Sequence, residues 1–250
     1  MSVGAAGTTI SVVIPALNEA VNLPHVLTRL PVSVDEVVLV DGHSTDDTVG
    51  VARMVRPDVR VVVQDGRGKG NALACGFAAS IGEIIVTLDA NGSHDPAEIP
   101  RFVEMLLTGH DYAKGSRFLE GGHSADITRV RQIGNRALRA LVNLLSGTDY
   151  SDLCYGYNAF WRHCLAHMPV NCDGFEVEPL INVRIARARL RVAEIASIEH
   201  QRMFGKSNLR AVGDGLRILS TVITERFRRA ETQPSSPTTP ARPADAEADT

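Results

Sequence analysis

The sequence lacks the signatures of several large protein classes. It has four cysteines, Cys75, Cys154, Cys164 and Cys172, but no Cys-x-x-Cys pair and no zinc-ligand spacing. They read as reduced thiols that pack as small apolar side chains in a cytoplasmic protein. No run of about 18 apolar residues offers a membrane-spanning helix. Residues 1–9 have neither a basic region nor a long apolar stretch, so they predict a flexible N-terminus rather than a secretory signal. A net charge of -3 gives no electrostatic argument for nucleic acid as a partner. No internal repeat stands out.

What is present is an ordinary globular composition, 44% hydrophobic and 22% charged over 250 residues, enough for a sizeable core. Short apolar runs alternate with helical patterns. Strands are expected at 10–15, 36–41, 59–64 and 83–89. Helices are expected at 18–30, 45–55, 71–80 and 97–107. Ser44 with Asp47 suggests a capping box for the second helix, and Pro96 suits the first turn of the fourth. Runs such as Val37-Val38-Leu39-Val40 and Ile84-Ile85-Val86 lack polar alternation, as parallel strands covered on both faces do. Repeated βα units predict a mostly parallel, doubly wound α/β sheet with flanking helices. The second half is less regular. It predicts a strand at 112–118, a long helix at 126–145, a loop and strand at 152–161, a helix at 175–189, an extended segment at 192–199 and a final helix at 209–229. Residues 231–250, with four prolines among Ser, Thr, Ala and acids, predict a disordered tail after a domain spanning 10–230.

Acids mark two strand ends. Asp41 closes one apolar run and Asp89 another, and ligands of open α/β sheets bind at the carboxyl ends of strands. Singly, each signal is weak. Asn18 fits a helix N-cap and Glu19 a helix-dipole partner. Asp46 and Asp47 fit a first helical turn. Gly66-Arg67-Gly68-Lys69-Gly70-Asn71 permits close backbone approach to a ligand and adds charge suited to a diphosphate. It is neither a dinucleotide fingerprint, which needs glycine at 71, nor a P-loop, which needs Ser or Thr at 70. Asp89-Ala90-Asn91 offers one carboxylate and a neutral carbonyl oxygen where Asp-x-Asp would clamp a divalent metal. His94 and Asp95 are nearby donors, although Asp95-Pro96 equally suits a helix start.

Taken in order, Pro15-Ala16-Leu17-Asn18-Glu19, Asp41-Gly42-His43-Ser44-Thr45-Asp46, Gly68-Lys69-Gly70-Asn71-Ala72 and Leu88-Asp89-Ala90-Asn91 resemble the family-2 glycosyltransferases, above all their dolichyl- or polyprenyl-phosphate mannosyltransferase branch. The resemblance spans roughly residues 10–210. It implies a GT-A fold and an inverting transfer of a sugar from a UDP- or GDP-sugar. It implies that Pro15, Asn18, Glu19, Asp41, Lys69, Asn71 and Asp89 bind the donor. Asp89 and Asn91 would be the metal position for Mg²⁺ or Mn²⁺, bound more weakly because Asn91 replaces an acid.

The same resemblance places Arg117, in Lys114-Gly115-Ser116-Arg117-Phe118, and Arg131 at an acceptor phosphate, for which the planar guanidinium fork is suited. Arg131 also fits a solvated helix face. Asp152 and Tyr157, from Asp152 to Asn158, would line the acceptor side, with Tyr155 where a small residue is usual. Glu176 and Glu178 occupy the place of acids near the acceptor; they share a side if extended and diverge if helical. Arg202, Gly205 and Ser207 match the loop that covers the diphosphate; Asn208 stands where Lys is usual, and the resemblance leaves Lys206 to supply that charge. The implied acceptor is a polyprenyl phosphate, met from the inner membrane face, with Ile218, Leu219, Val222 and Ile223 of the final helix as a membrane-resting or core-packing face. A soluble small-molecule acceptor, a catalytically weak nucleotide-sugar-binding protein and a nucleotide hydrolase or pyrophosphorylase are the rival readings.

Overall fold

The computed structural model describes residues 7–205 and 211–227. The expected Pro-rich tail lies outside the described residues. A seven-stranded sheet organises the chain in the order β3-β2-β1-β4-β7-β5-β8. Its members are β1 (Ile10–Ala16), β2 (Glu36–Asp41), β3 (Arg60–Val63), β4 (Ile84–Thr87), β5 (Tyr112–Ser116), β7 (Asn158–Trp161) and β8 (Val192–Ala196). Strand β7 runs antiparallel to its neighbours β4 and β5, and the other pairings are parallel. A short ribbon pairs β6 (His123–Ser124) with β9 (Ile198–Glu199). The mostly parallel α/β sheet expected from the unbroken apolar runs is therefore present.

Alternate residues of the central strands feed opposite faces, as strand geometry requires. Val12, Ile14, Leu39 and Val86 pack with α1 (Leu23–Leu27) and α4 (Ile99–Leu107). Val13, Val38, Val40 and Ile85 pack with Leu73 and Phe77 of α3 (Gly68–Ala79) and with Ile181 and Ile185 of α6 (Val177–Arg187). Helix α2 (Thr48–Val55) covers β2, with Ala52 buried in the first of these layers. A third cluster joins Val142 of α5 (Arg129–Ser146), Val183 of α6, and Ile218 and Val222 of α7 (Ala211–Phe227). On α7, then, Ile218 and Val222 pack inward, while Leu219 and Ile223 remain exposed.

The helix starts differ from the sequence expectations for local reasons. The first helix begins at Leu23 instead of 18, because Asn18 takes a left-handed φ of 56°. Ser44 does not cap α2. Its hydroxyl accepts the Asn18 N–H at 2.9 Å, and Asp47 holds the N-cap position. Helix α3 starts three residues early, so the glycine-rich segment forms its first turn. Thr128 caps α5 by accepting the Arg131 N–H.

Candidate active site

Chain order reverses between β1 and β4, which lie side by side although β2 and β3 intervene in sequence. Such a switch point opens a crevice at the carboxyl ends of the strands. A cavity of about 290 Å³ occurs there. Pro15 and Ala16 at the end of β1 line it with Leu17 and Glu19 just beyond, and Asp89, Ala90, Asn91 and His94 line it after β4.

At its centre Lys69 lies between two carboxylates. Its Nζ is 2.7 Å from Asp89 Oδ1 and 2.7 Å from Glu178 Oε1. The glycines explain how Lys69 arrives there. A Cβ on Gly68 would collide with the carbonyl oxygen of Asp173, and one on Gly70 with that of Cys172. Gly70 N–H also donates to Asp173 O at 2.9 Å. The close approach that these glycines make is thus to the protein's own 172–174 segment, and Gly68 also lines the cavity. Gly70→Ala is expected to cost about 1–3 kcal/mol by overpacking, read as a lowered unfolding midpoint in urea.

Burial opposes charge on all three groups, and pairing overcomes it at two of them. Burial alone would raise Asp89, yet the adjacent Lys69 ammonium holds it well below the usual carboxylate range. Burial alone would lower Lys69, yet Asp89 and Glu178 lift it above the ordinary lysine range. Burial wins at Glu178, whose pKa is raised despite Lys69. Glu19 is likewise raised by burial, partly offset by Asn22 and Arg202. Arg202 Nη1 meets Glu19 Oε1 at 3.2 Å, and its loop is fixed over β4 by His200 N–H to Ser93 O and Met203 N–H to Asn91 O.

The site residues expected from sequence separate into two groups. Pro15, Glu19, Lys69, Asp89, Asn91, Arg117, Arg131, Glu178 and Arg202 line the cavity. The other described ones are not among its lining residues. Asn18 Oδ1 accepts from Thr45 and Asp46 N–H, tying the loop after β1 to that after β2. Asn71 bridges Gly66 and Asp65. Asp41 accepts from Ser44 N–H. Helix α6 makes the two glutamates diverge: Glu178 faces Lys69, whereas Glu176 accepts from Gly174 N–H. Tyr157 is fully buried, donates to Asp95 O at 2.9 Å and stacks on Phe102. Asp152 is fully buried against Arg117. Lys206 and Ser207 lie outside the described residues.

Arg117 is itself committed. Its Nε and Nη2 grip Asp152 at 2.7 and 3.0 Å, and Nη1 meets Glu199 at 3.1 Å. Its guanidinium lies over the Tyr155 ring. Arg131 carries a looser pair with Asp126 at 3.7 Å. Tyr155 lines the cavity as its segment predicted, whereas sequence reasoning missed Gln64, Phe175 and Glu199 as lining residues. Gln64 was the most accessible of these, since it follows β3 as Asp41 and Asp89 mark β2 and β4. Asp95 is helix-start chemistry: it caps Ala97 N–H and pairs with Arg29.

An α/β sheet with this strand order and an acid-lined crevice at its switch point is an open α/β fold that binds ligands at its strand ends. Residues 11–167 match the sequence model of Glycosyl transferase family 2, and the chain belongs to that family. Glycosyltransferase AglJ of Haloferax volcanii is 29% identical over 89% of this chain and 72% of its own length. A dolichol-phosphate mannosyltransferase of Pyrococcus furiosus is 28% identical over 80% of this chain and 59% of its own length. An uncharacterized glycosyltransferase of Mycobacterium bovis is 40% identical across 45% of this chain and 50% of its own length. Among solved structures, glucosyl-3-phosphoglycerate synthase from Mycobacterium tuberculosis, in complex with Mn²⁺, UDP and glucosyl-3-phosphoglycerate, superposes with a TM-score of 0.70. It is 28% identical over 88% of this chain and 80% of that one. The fold is GT-A, and the chain is a glycosyltransferase.

Proposed function

We propose that the protein transfers a sugar with inversion from a UDP- or GDP-sugar to a polyprenyl phosphate. The observation that carries this reading is the cavity itself. Its lining combines Asp89, Lys69, Glu178 and Arg202 with the apolar Ile127, Val130, Leu138 and Ile218, which stand among Asp126, Arg131 and Asp214. A phosphate oxygen of the acceptor would attack the anomeric carbon while the bond from that carbon to the diphosphate oxygen breaks. Arg202 would neutralise the departing diphosphate, which is transition-state stabilisation by preplaced charge. A phosphate acceptor is already nucleophilic, so no strong base is required.

The mannosyltransferase relative is named for a polyprenyl-phosphate acceptor. Among the described residues no helix is long and apolar enough to cross a membrane. Val130 and Ile133 on α5 and Leu216 and Phe227 on α7 are exposed, and they support peripheral contact with a lipid surface from the cytoplasmic side. A second reading, a soluble phosphorylated acceptor, is favoured by the synthase, whose complexes contain phosphoglyceric acid. For a hydroxyl on such an acceptor, Glu178, raised by burial, would be the base.

A divalent cation fits this site only in part. Among the described residues no group of three His, Cys, Asp or Glu can hold a metal. Asn91 Oδ1 accepts the Ser93 N–H at 2.8 Å. The protein therefore offers Asp89 Oδ2, which suits an ion held mainly by substrate phosphates. When bound, such an ion would supply positive charge at the diphosphate. Asn91→Asp is expected to lower the Mn²⁺ concentration needed for half-maximal UDP binding roughly tenfold, as about 1.4 kcal/mol from one added ligand would do.

The test of function is transfer of label from UDP-glucose or GDP-mannose to undecaprenyl phosphate in detergent, with phosphoglyceric acid in parallel. Organic-extractable label is the expected product. Label only in the water-soluble acceptor would favour the second reading, and full-rate donor consumption without either acceptor would favour a hydrolase.

A further inference from the structure

We propose that His94 is a positioning residue that sets the orientation of the Asp89 carboxylate through its Nε2–H. This rests on the reading of Asp89 as part of the donor site. Three observations on one ring carry it.

The first concerns the proton. The Asp89 backbone N–H donates to His94 Nδ1 at 3.2 Å. A nitrogen that accepts has no hydrogen, so the imidazole is neutral and its single proton is on Nε2. That nitrogen is then a donor. It is not available as a metal ligand, which removes His94 from the cation set suggested by its position in the sequence.

The second concerns where the donor points. His94 is 1% exposed and lines the cavity. Its Nε2 is buried with no hydrogen-bond partner, and stands 3.8 Å from Asp89 Oδ2. Asp89 Oδ1 is already taken by Lys69. A buried donor without a partner is costly and calls for a specific explanation, a role at the site among them. A small rotation of the Asp89 carboxylate closes this gap, and the imidazole then contacts Asp89 at both its backbone N–H and its carboxylate.

The third concerns rigidity. The ring is stacked on Tyr157 with centroids 5.1 Å apart and meets the Tyr155 ring edge-on at 4.8 Å. Both tyrosines are anchored, Tyr157 by Asp95 O and Phe102, Tyr155 by Ser197 Oγ at 3.0 Å. Ser197 is held in turn by Glu98 at 2.6 Å. A ring gripped on two sides cannot flip to exchange its nitrogens without moving this stack. The aromatic pair thus preserves the direction of the Nε2–H.

Two amide variants separate the two nitrogens. The amide nitrogen of His94→Gln falls near Nε2 and keeps the donor, while His94→Asn places its amide near Nδ1 and keeps only the anchor to Asp89 N–H. The measurement is calorimetric binding of UDP and of GDP in the presence of Mg²⁺. We expect Gln to stay within about threefold of the wild type and Asn to lose roughly tenfold, the scale of a hydrogen bond to a charged group. Equal loss in both, no loss in either, or a better Asn variant overturns the proposal. A wild type that binds neither nucleotide defeats the donor-site reading instead. Nitrogen-15 spectra of the wild-type imidazole then decide about His94 without nucleotide or variant: a protonated Nε2 with a bare Nδ1 supports the proposal, and the opposite tautomer ends it.

Discussion

Arg117→Ala is expected to lower the unfolding free energy by about 3–5 kcal/mol, the scale for breaking a buried pair by removing one partner. Asp152 is fully buried and Glu199 nearly so. With the arginine gone, both carboxylates remain in the interior. Asn135 Nδ2 and the backbone N–H groups of Arg117 and Cys154 still reach Asp152, but among the described residues no other cation pairs with its carboxylate. Burial would raise Asp152, and Arg117 is the largest influence holding it below the ordinary range. Arg117→Lys keeps a charge but loses the planar fork, so it should recover only part of the loss. Equilibrium unfolding in urea measures both. A loss under 1 kcal/mol for Arg117→Ala would contradict the account. This expectation also bears on function: loss of transfer in an Arg117 variant would report on the packing of β5 against the loop before β7 before it reported on an acceptor phosphate.

Lys69→Met should cost about 3 kcal/mol near pH 8, and that cost should shrink as the pH falls toward about 5. In the wild type, Lys69 depresses Asp89. That contribution to stability is present above the unfolded carboxylate value and is lost only as pH falls through the much lower folded value. In the variant the main partner opposing burial at both Asp89 and Glu178 is gone, and the weaker influences of His94 and Arg202 on Asp89 do not replace it, so both carboxyls move upward. A raised carboxyl destabilises the fold when ionised and ceases to do so when protonated. The difference between the two proteins is therefore widest at high pH. Unfolding curves at pH 5, 6.5 and 8 test this, and a gap that is constant or grows in acid would contradict it. Nucleotide binding by the variant should fail at every pH at which it folds.

Much of the sheet was legible because its signal is local. Unbroken Val, Leu and Ile runs at 37–40 and 84–86 can only be satisfied by cover on both faces, and they form β2 and β4. Asp89 was legible for the same reason: an acid just past such a run must sit at a strand end. The start of α3 was not, because Gly68 and Gly70 look like loop residues until the 172–174 segment packs on them. Nor was the separation of Glu176 from Glu178, which depends on where α6 begins. Arg117 and Asp152 are 35 positions apart. Nothing in either segment reveals that they pair with each other, so both looked free to meet a ligand. His94 was visible only as a nearby donor, since its tautomer is fixed by a backbone contact that no spacing encodes.

The central claim is that the crevice between β1 and β4 binds a nucleoside diphosphate. Titration of the wild-type protein with UDP and GDP, each with Mn²⁺, followed by the thermal unfolding midpoint, tests it most directly. A ligand that binds only the folded chain must raise that midpoint, by about 2.7 kcal/mol of stability at a hundred times its Kd. The account predicts a saturable rise with one of the two nucleotides, abolished in Asp89→Ala. No rise with either nucleotide, or an equal rise in Asp89→Ala, would contradict it.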